Sequence, residues 1–454
     1  MSLEGPGGLS PESQWHGHSD KKPYPDGAEH GPAHDDPFGS EEYAEVKYKT
    51  MTWWQAGMIM IAETISLGIL SLPSALATLG IVGGEILIVG LGILATYTGY
   101  TLGQFKLRYP HVHSMADAGE VLMGPFGREV LGTAQLLFLI FTMGSHLLTF
   151  SKMLNTVSEH GTCSIVFGIV GMILSFICTL PRTLKKVSWM SIASFISVFS
   201  AVMITMISIG VERPGDGHVD ATTTTNLYHG FLAVTDIVFA YAGHVAFFGF
   251  ISEMKVPEDY PKTLYLLQIV DTVMYAVTAV VIYRYAGKDV KSPALGSAGH
   301  IMSKVAYGIA IPTIVVAGVI NGHVACKYVY VRMFRNTDHM HRRTFFSVGV
   351  WIAIALALWV IAWVIAEAIP VFNDLLSLIT ALFASWFTYG LSGLFWLFLN
   401  WGQWLSSPRK ICLTILNLLV FGIGGAICGL GLYVSGKAIH DDSSGASFSC
   451  ANNA

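Results

Sequence analysis

The chain is 454 residues long, 53% hydrophobic and only 12% charged, about half the charged share usual in soluble domains. A mean hydropathy of +0.55 excludes an ordinary soluble globular protein and indicates a polytopic membrane protein of the all-α kind. The net charge of −4 gives nucleic acid no electrostatic footing, and none is expected as a partner.

Residues 1–49 are rich in Gly, Pro, His and acidic side chains and nearly free of aliphatic ones. Such a segment buries too little surface to fold alone, so a disordered cytoplasmic tail is expected. No signal peptide is visible, and the first span is expected to direct insertion itself.

Span 1, Met51 to Gly80, is apolar enough to cross a bilayer but carries its own interruptions. Ser66, Gly68 and Ser71 with Pro73 just beyond put weak helix formers in mid-span, and Glu63 puts a carboxylate at the same depth. In lipid an opened backbone survives only where it lines a cavity, so the pattern predicts a non-helical stretch over Ser66–Ile69 and a binding site near the midplane. A simple Pro kink in a packing helix is the competing reading. A charge at the bilayer centre costs about 2.5–3.5 kcal/mol on insertion scales, which makes Glu63 a functional candidate, with a structural hydrogen bond to a neighbour as the alternative.

Further apolar runs follow at about 81–105, 128–156, 164–181, 187–211, 230–252, 263–286, 301–331, 344–366, 371–400 and 411–435, giving eleven spans. In span 6, Ala242, Gly243 and His244 interrupt the apolar run Phe239-Ala240-Tyr241 and predict a second opening over Ala240–Gly243. Two matched breaks five spans apart, in spans of opposite direction, predict that spans 1–5 and 6–10 are inverted repeats and that span 11 is an appendage. His244, a side chain that titrates near neutral pH, suits a pH-responsive gate, or else satisfies opened backbone groups as a neutral ring. His146 and His323 are weaker candidates. Asp271 and Lys327 form a structural ion pair, or one of them relays protons.

The basic residues of the short loops, among them Arg108, Arg128, Arg182, Lys255, Arg335, Arg342 and Arg409, all fall on one side. The positive-inside rule then places the N-terminus in the cytoplasm and the tail 436–454 outside. Cys178, Cys326, Cys412 and Cys428 sit in apolar runs and are expected as free thiols, whereas Cys163 and Cys450 both fall on the outer side, where sequence leaves a disulfide open. Gly431 to Lys437 mimics a phosphate loop but follows a membrane span and lacks the Ser or Thr that would ligate magnesium. No hydrolase or metalloprotease motif is present, so neither an enzyme nor a metal site is expected, and no cofactor beyond a coupling proton.

The run Ser66-Leu67-Gly68-Ile69-Leu70-Ser71-Leu72-Pro73, the run Phe239 to His244 followed by Ser252-Glu253-Met254-Lys255, and Ile369-Pro370 with Phe372 resemble the amino acid/auxin permease family, most of all the fungal neutral amino acid permeases. The resemblance covers about residues 48–435. It implies a LeuT-like fold of two inverted five-helix repeats over 50–435 and ion-coupled uptake of amino acids. Sodium-using members commonly offer an Asn around Ala62–Glu63, where this chain has Glu.

The expected function is therefore secondary active import of neutral L-amino acids, aliphatic and aromatic, by proton symport, in a monomer spanning the cell membrane. A membrane-embedded amino-acid sensor, a sodium-coupled symporter and a channel are the alternatives. Thr64, Ile65, Ser66, Leu67, Gly68 and Ile69 with Phe239, Ala240, Tyr241, Ala242 and Gly243 are the expected substrate-binding residues. The substrate carboxylate is expected at free N–H groups around Ser66–Gly68, its ammonium at carbonyls of Phe239 and Ala240, and its side chain against Phe239 and Tyr241. Glu63 and His244 are the expected proton-coupling residues.

Overall fold

The computed structural model describes residues 37–38, 45–214, 219–335, 337–441 and 447–451; most of the expected N-terminal tail and parts of the C-terminal one lie outside the described residues. The chain runs α1 (Trp53–Leu79), α2 (Ile81–Arg108), α3 (Met115–Ser158), α4 (Ser164–Thr179), α5 (Leu184–Glu212), α6 (Leu227–Ala240), α7 (His244–Ser252), α8 (Tyr260–Ala286), α9 (His300–Phe334), α10 (Phe345–Ala368), α11 (Phe372–Ile379), a π-helical stretch Thr380–Gly390, α12 (Leu391–Leu399) and α13 (Pro408–Asp441). Span 6 is thus α6 with α7, span 10 is α11 through α12, and span 11 is α13. Among the described residues, ten spans are long and apolar enough to cross a membrane, and α4 is an apolar helix of 16 residues. At 1.5 Å per residue α4 reaches only about 24 Å, short of a hydrocarbon core of about 30 Å.

Burial sorts the helices into an inner set and a lipid-facing set. In the most apolar stretch of α1, 94% of residues are buried inside the bundle, against 28% for α2, α10 and α13. The α6–α7 pair, α9 and the span α11–α12 join α1 inside, with α3 partly so. The glutamate-bearing helix is therefore the axis that the others surround.

Contrary to the expectation of an opened span 1, α1 is helical from Trp53 to Leu79 through Ser66–Ile69 and past Pro73. The physical reason lies in what its small residues do. Ser71 Oγ donates to the Gly68 carbonyl at 3.0 Å and Ser74 Oγ to that of Ser71 at 2.7 Å, so both hydroxyls are satisfied within the helix on either side of Pro73. Gly68 and Ser66 serve packing: a Cβ on Gly68 would lie 2.7 Å from Ala240 Cα, and Ser66 Oγ donates to the Thr313 carbonyl of α9 at 3.3 Å.

Pro312 interrupts α9 in the same way, and α5 repairs it. Ser197 Oγ accepts from Thr313 N–H at 3.3 Å and donates to the Ile309 carbonyl at 2.7 Å, standing between two groups that an unkinked helix would pair directly. In α3, Gly124 adopts φ +66° just before Pro125 and splits off a first segment capped by Ser114 and Asp117. Gly431 to Lys437 lies within α13 and forms no phosphate loop. The appended α13 is tied in by a hydroxyl chain, Thr235–Ser377–Ser435, with steps of 2.8 and 2.7 Å.

The end of the bundle carrying the basic loops is closed by residues 45–51. Thr50 N–H and Met51 N–H donate to the Glu253 carbonyl at 3.1 and 3.0 Å, and Lys255 N–H donates to the Met51 carbonyl at 2.8 Å. Tyr48 is buried beneath, its hydroxyl donating to the Met340 carbonyl at 3.0 Å, and burial pushes its phenol up to about 12. Val46 and Phe38 are buried there too. At the opposite end a disulfide joins Cys163 to Cys450, while Cys178, Cys326, Cys412 and Cys428 are free.

Candidate functional site

The interruption between α6 and α7 spans Tyr241–Gly243. There the hydrogen bonds tighten to i→i−3, from Tyr241 N–H to the Val238 carbonyl at 3.2 Å and from Ala242 N–H to that of Phe239 at 2.9 Å. Beyond the break α7 starts with no capping side chain, and its Ala246 N–H donates back to the Gly243 carbonyl at 3.1 Å.

A small cavity of about 20 Å³ lies against this break, room for about one water and far below the roughly 300–1,000 Å³ of small-molecule sites, so the structure is closed around it. Glu63, Thr64 and Leu67 of α1 line one side, Phe138, Thr142 and His146 of α3 another, and Phe239, Ala242 and Gly243 the third. Three large apolar side chains, two hydroxyls, one carboxyl and one imidazole thus converge on it. Glu63 Oε2 has no hydrogen-bond partner among the described residues, and a Cβ on Gly243 would lie 2.8 Å from it. The carboxyl group therefore presses on the backbone at the start of α7, where the positive end of a helix dipole favours an anion.

Six of the residues expected at the site meet in this cavity: Glu63, Thr64, Leu67, Phe239, Ala242 and Gly243. Ile65, Ser66, Gly68 and Ile69 are buried elsewhere on α1 and are fully helical, so they offer no free N–H groups. The Ala240 carbonyl, expected to be open, accepts from Tyr275 Oη at 2.8 Å. Tyr241 turns toward α2, its hydroxyl donating to the Ile88 carbonyl at 2.9 Å, and so is no wall of the cavity.

His244 also faces α2. Its Nε2 is 3.0 Å from the Ala95 carbonyl and 3.0 Å from Thr98 Oγ1, and its ring stacks on Phe247 at 4.6 Å. A carbonyl only accepts, so Nε2 carries the hydrogen, and the ring serves the backbone of α2.

Asp271 and Lys327 do not pair with each other. Lys327 Nζ forms a fully buried ion pair with Glu253 Oε1 beneath Tyr48. Asp271 Oδ2 instead meets Thr64 Oγ1 at 2.7 Å, and its Oδ1 has no partner among the described residues. Sequence reasoning missed Phe138 and Thr142. Their spacing with His146, at i, i+4 and i+8, places all three on one face of α3, a pattern that was available to be read.

Comparison with known proteins agrees with this architecture. A family model described as transmembrane amino acid transporter protein matches residues 49–436. The N amino acid transport system protein of Neurospora crassa is 38% identical over 416 residues, covering 89% of this chain and 88% of that one. A transmembrane transporter of Gibberella moniliformis is 33% identical, with coverage of 78% and 76%. Among solved structures, MhsT in complex with L-phenylalanine superposes with a TM-score of 0.56 at 13% identity, over 86% of this chain and all of that one. A sodium-coupled sialic acid symporter in a substrate-bound outward-open state gives 0.52 at 13% identity, over 84% and 91%. The fold is thus LeuT-like, two five-span repeats with α13 appended.

Proposed function

The chain belongs to the transmembrane amino acid transporter family, and on that premise we propose that it imports neutral L-amino acids by proton symport with alternating access, Glu63 carrying or controlling the coupled proton. As a family member it is a multi-pass membrane transporter of amino acids and no enzyme. The observation that carries the finer reading is the Glu63 carboxyl group, unpartnered and set against the start of α7 inside the cavity.

A zwitterionic substrate brings its own carboxylate to the same place. Two carboxylates cannot both ionise in one buried site, so substrate binding favours a neutral Glu63 and a neutral Glu63 favours substrate. That reciprocity is what symport requires. Once alternating access parts α1, α3 and α6–α7 and widens the cavity, the substrate's amino-acid moiety lies between Thr64, Ala242 and Gly243, with Leu67, Phe138 and Phe239 receiving its side chain. Of the lining residues only Glu63 and His146 are ionisable, which supports a preference for uncharged side chains. One proton entering with a zwitterion moves one net charge, worth about 2.3 kcal/mol at 100 mV, or roughly a fifty-fold substrate gradient.

The basic loops support an N-terminus in the cytoplasm and a C-terminal tail outside the cell membrane. The protein acts as a monomer in this reading.

The test is uptake into liposomes under imposed gradients. An inward pH gradient alone should drive accumulation of L-leucine and L-phenylalanine, and Glu63→Gln should abolish it. Leucine and phenylalanine should compete with each other, while lysine, arginine, aspartate and glutamate compete poorly. Accumulation driven by sodium alone, or a Gln variant that still concentrates substrate on a pH gradient, would overturn the assignment.

A further inference from the structure

Thr64 Oγ1 stands between two oxygens, the Asp271 Oδ2 at 2.7 Å and the Met60 carbonyl at 2.9 Å. A hydroxyl has one hydrogen and two lone pairs. With Asp271 ionised, the Thr64 hydrogen points to Oδ2. With Asp271 protonated, the Oδ2 hydrogen points to Thr64 Oγ1 and the Thr64 hydrogen swings to the Met60 carbonyl. Both states are hydrogen-bonded, and passing between them moves no heavy atom.

The surroundings hold no fixed cation for this carboxyl group. Asp271 is 1% exposed, and neither it nor Glu63 forms an ion pair among the described residues. The groups that act on Asp271 electrostatically are Glu63 of α1, Tyr241 at the break and Tyr275 of α8 itself. From α2, Glu85 faces Tyr241. Helix α5, which also packs on α8, has no titratable residue between Lys186 and Glu212. Asp271 is bonded to the residue that follows Glu63 on α1, and two carboxyl groups so placed without a counter-ion disfavour a doubly charged state.

We propose that Asp271 is a second proton-binding site of this transporter, switched by rotation of the Thr64 hydroxyl, and that it and Glu63 are not charged together. The proton reaches Asp271 from water or from Glu63, adds to Oδ2, and leaves by the same oxygen; no other bond changes. The proposal rests on the proton-symport reading and extends it from one carboxyl group to two. Thr64, which lines the cavity and holds Asp271, is the positioning residue that couples them.

The experiment uses the full chain in liposomes with L-leucine and L-phenylalanine as probes. Each variant is read as accumulation on a one-unit pH gradient relative to exchange across the same membrane without a gradient. One proton per substrate supports about tenfold accumulation on that gradient. Asp271→Asn, which imitates the protonated group, should lower the ratio of accumulation to exchange at least about fivefold. Thr64→Val should shift the pH midpoint of uptake by about half a unit or more, and Thr64→Ser should keep the native midpoint.

Failure of the native protein to respond to the pH gradient would sink the symport reading itself. A responsive native protein with an Asp271→Asn variant that accumulates within about twofold of native would sink only the second site. If Asp271→Asn neither inserts nor exchanges, the Thr64 pair decides: an unshifted midpoint in Thr64→Val overturns the proposal.

Discussion

Gly68 shows how closely two helices can be set by a missing side chain. A Cβ there would meet Ala240 Cα at 2.7 Å, Ala240 Cβ at 3.0 Å and Tyr275 Oη at 3.3 Å. The nearest of these is backbone, so relief requires α6 to move from α1 at the edge of the break. Gly68→Val should therefore reduce transport at least tenfold and cost about 1–3 kcal/mol, as overpacked cores do, while membrane insertion survives. Uptake and thermal unfolding in detergent measure the two effects, and near-native values of both would show that the contact yields freely. A different residue-scale effect belongs to Glu253 and Lys327. Both are buried, so removing one partner strands a charge, at a cost of about 3–5 kcal/mol. Lys327→Met should destabilise the closed basic end strongly, and Lys327→Met with Glu253→Gln should recover much of the loss; a double variant as unstable as the single would refute the pairing.

Among elements, the two spans expected to open behaved differently, and the difference is instructive about what sequence can report. Ser66, Gly68, Ser71 and Pro73 disfavour helix on propensity alone, but in a bilayer an unpaired backbone costs more than poor propensity. Ser71 and Ser74 turn their hydroxyls onto carbonyls of their own helix and Gly68 allows the close contact, so the same residues are accommodated in a continuous α1. In α6–α7 no comparable side chain caps the break at Gly243, and there the interruption was legible. The all-helical architecture was legible from hydropathy, and the eleven expected spans correspond to ten helices long enough to cross a membrane plus the shorter α4. The partnership of Thr64 with Asp271, 207 residues away, depends on the mutual rotation of α1 and α8, which no single stretch of sequence carries. The α5 repair of α9 gives a testable element-scale coupling. Ser197→Ala leaves Ile309 and Thr313 without their bridge and should cost about 0.6–1.7 kcal/mol, the range of polar contacts between membrane helices. With Pro312→Ala the helix can close that bond itself, so the same substitution should cost less; equal losses in both backgrounds, by thermal unfolding, would contradict the bridge.

At the scale of the whole molecule the disulfide fixes the far end of the chain to its first half. Cys450 follows α13, and Cys163 lies between α3 and α4, 287 residues earlier. Ser164 Oγ adds a bond to the Ala451 carbonyl, and Phe448 N–H bonds the Glu367 carbonyl at 3.1 Å, so the last described residues are laid across α4 and α10. A membrane-impermeant maleimide applied from the side opposite the basic loops should label Cys163 and Cys450 only after reduction, since such bonds persist in oxidising compartments. Labelling of either without reductant would contradict the pairing, and labelling from the basic-loop side would reverse the topology. The same separation along the chain sets an order of events during synthesis. With the orientation proposed above, Cys163 enters the oxidising compartment while eight spans are still to be made and waits there as a free thiol. Its partner does not exist until α13 has been translated, so the bond can close only after that helix is made. An oxidised Cys163–Cys450 pair is then a chemical receipt for the insertion of every helix between them, and a chain stalled short of α13 exposes a reactive thiol by which thiol-dependent quality control can hold it back.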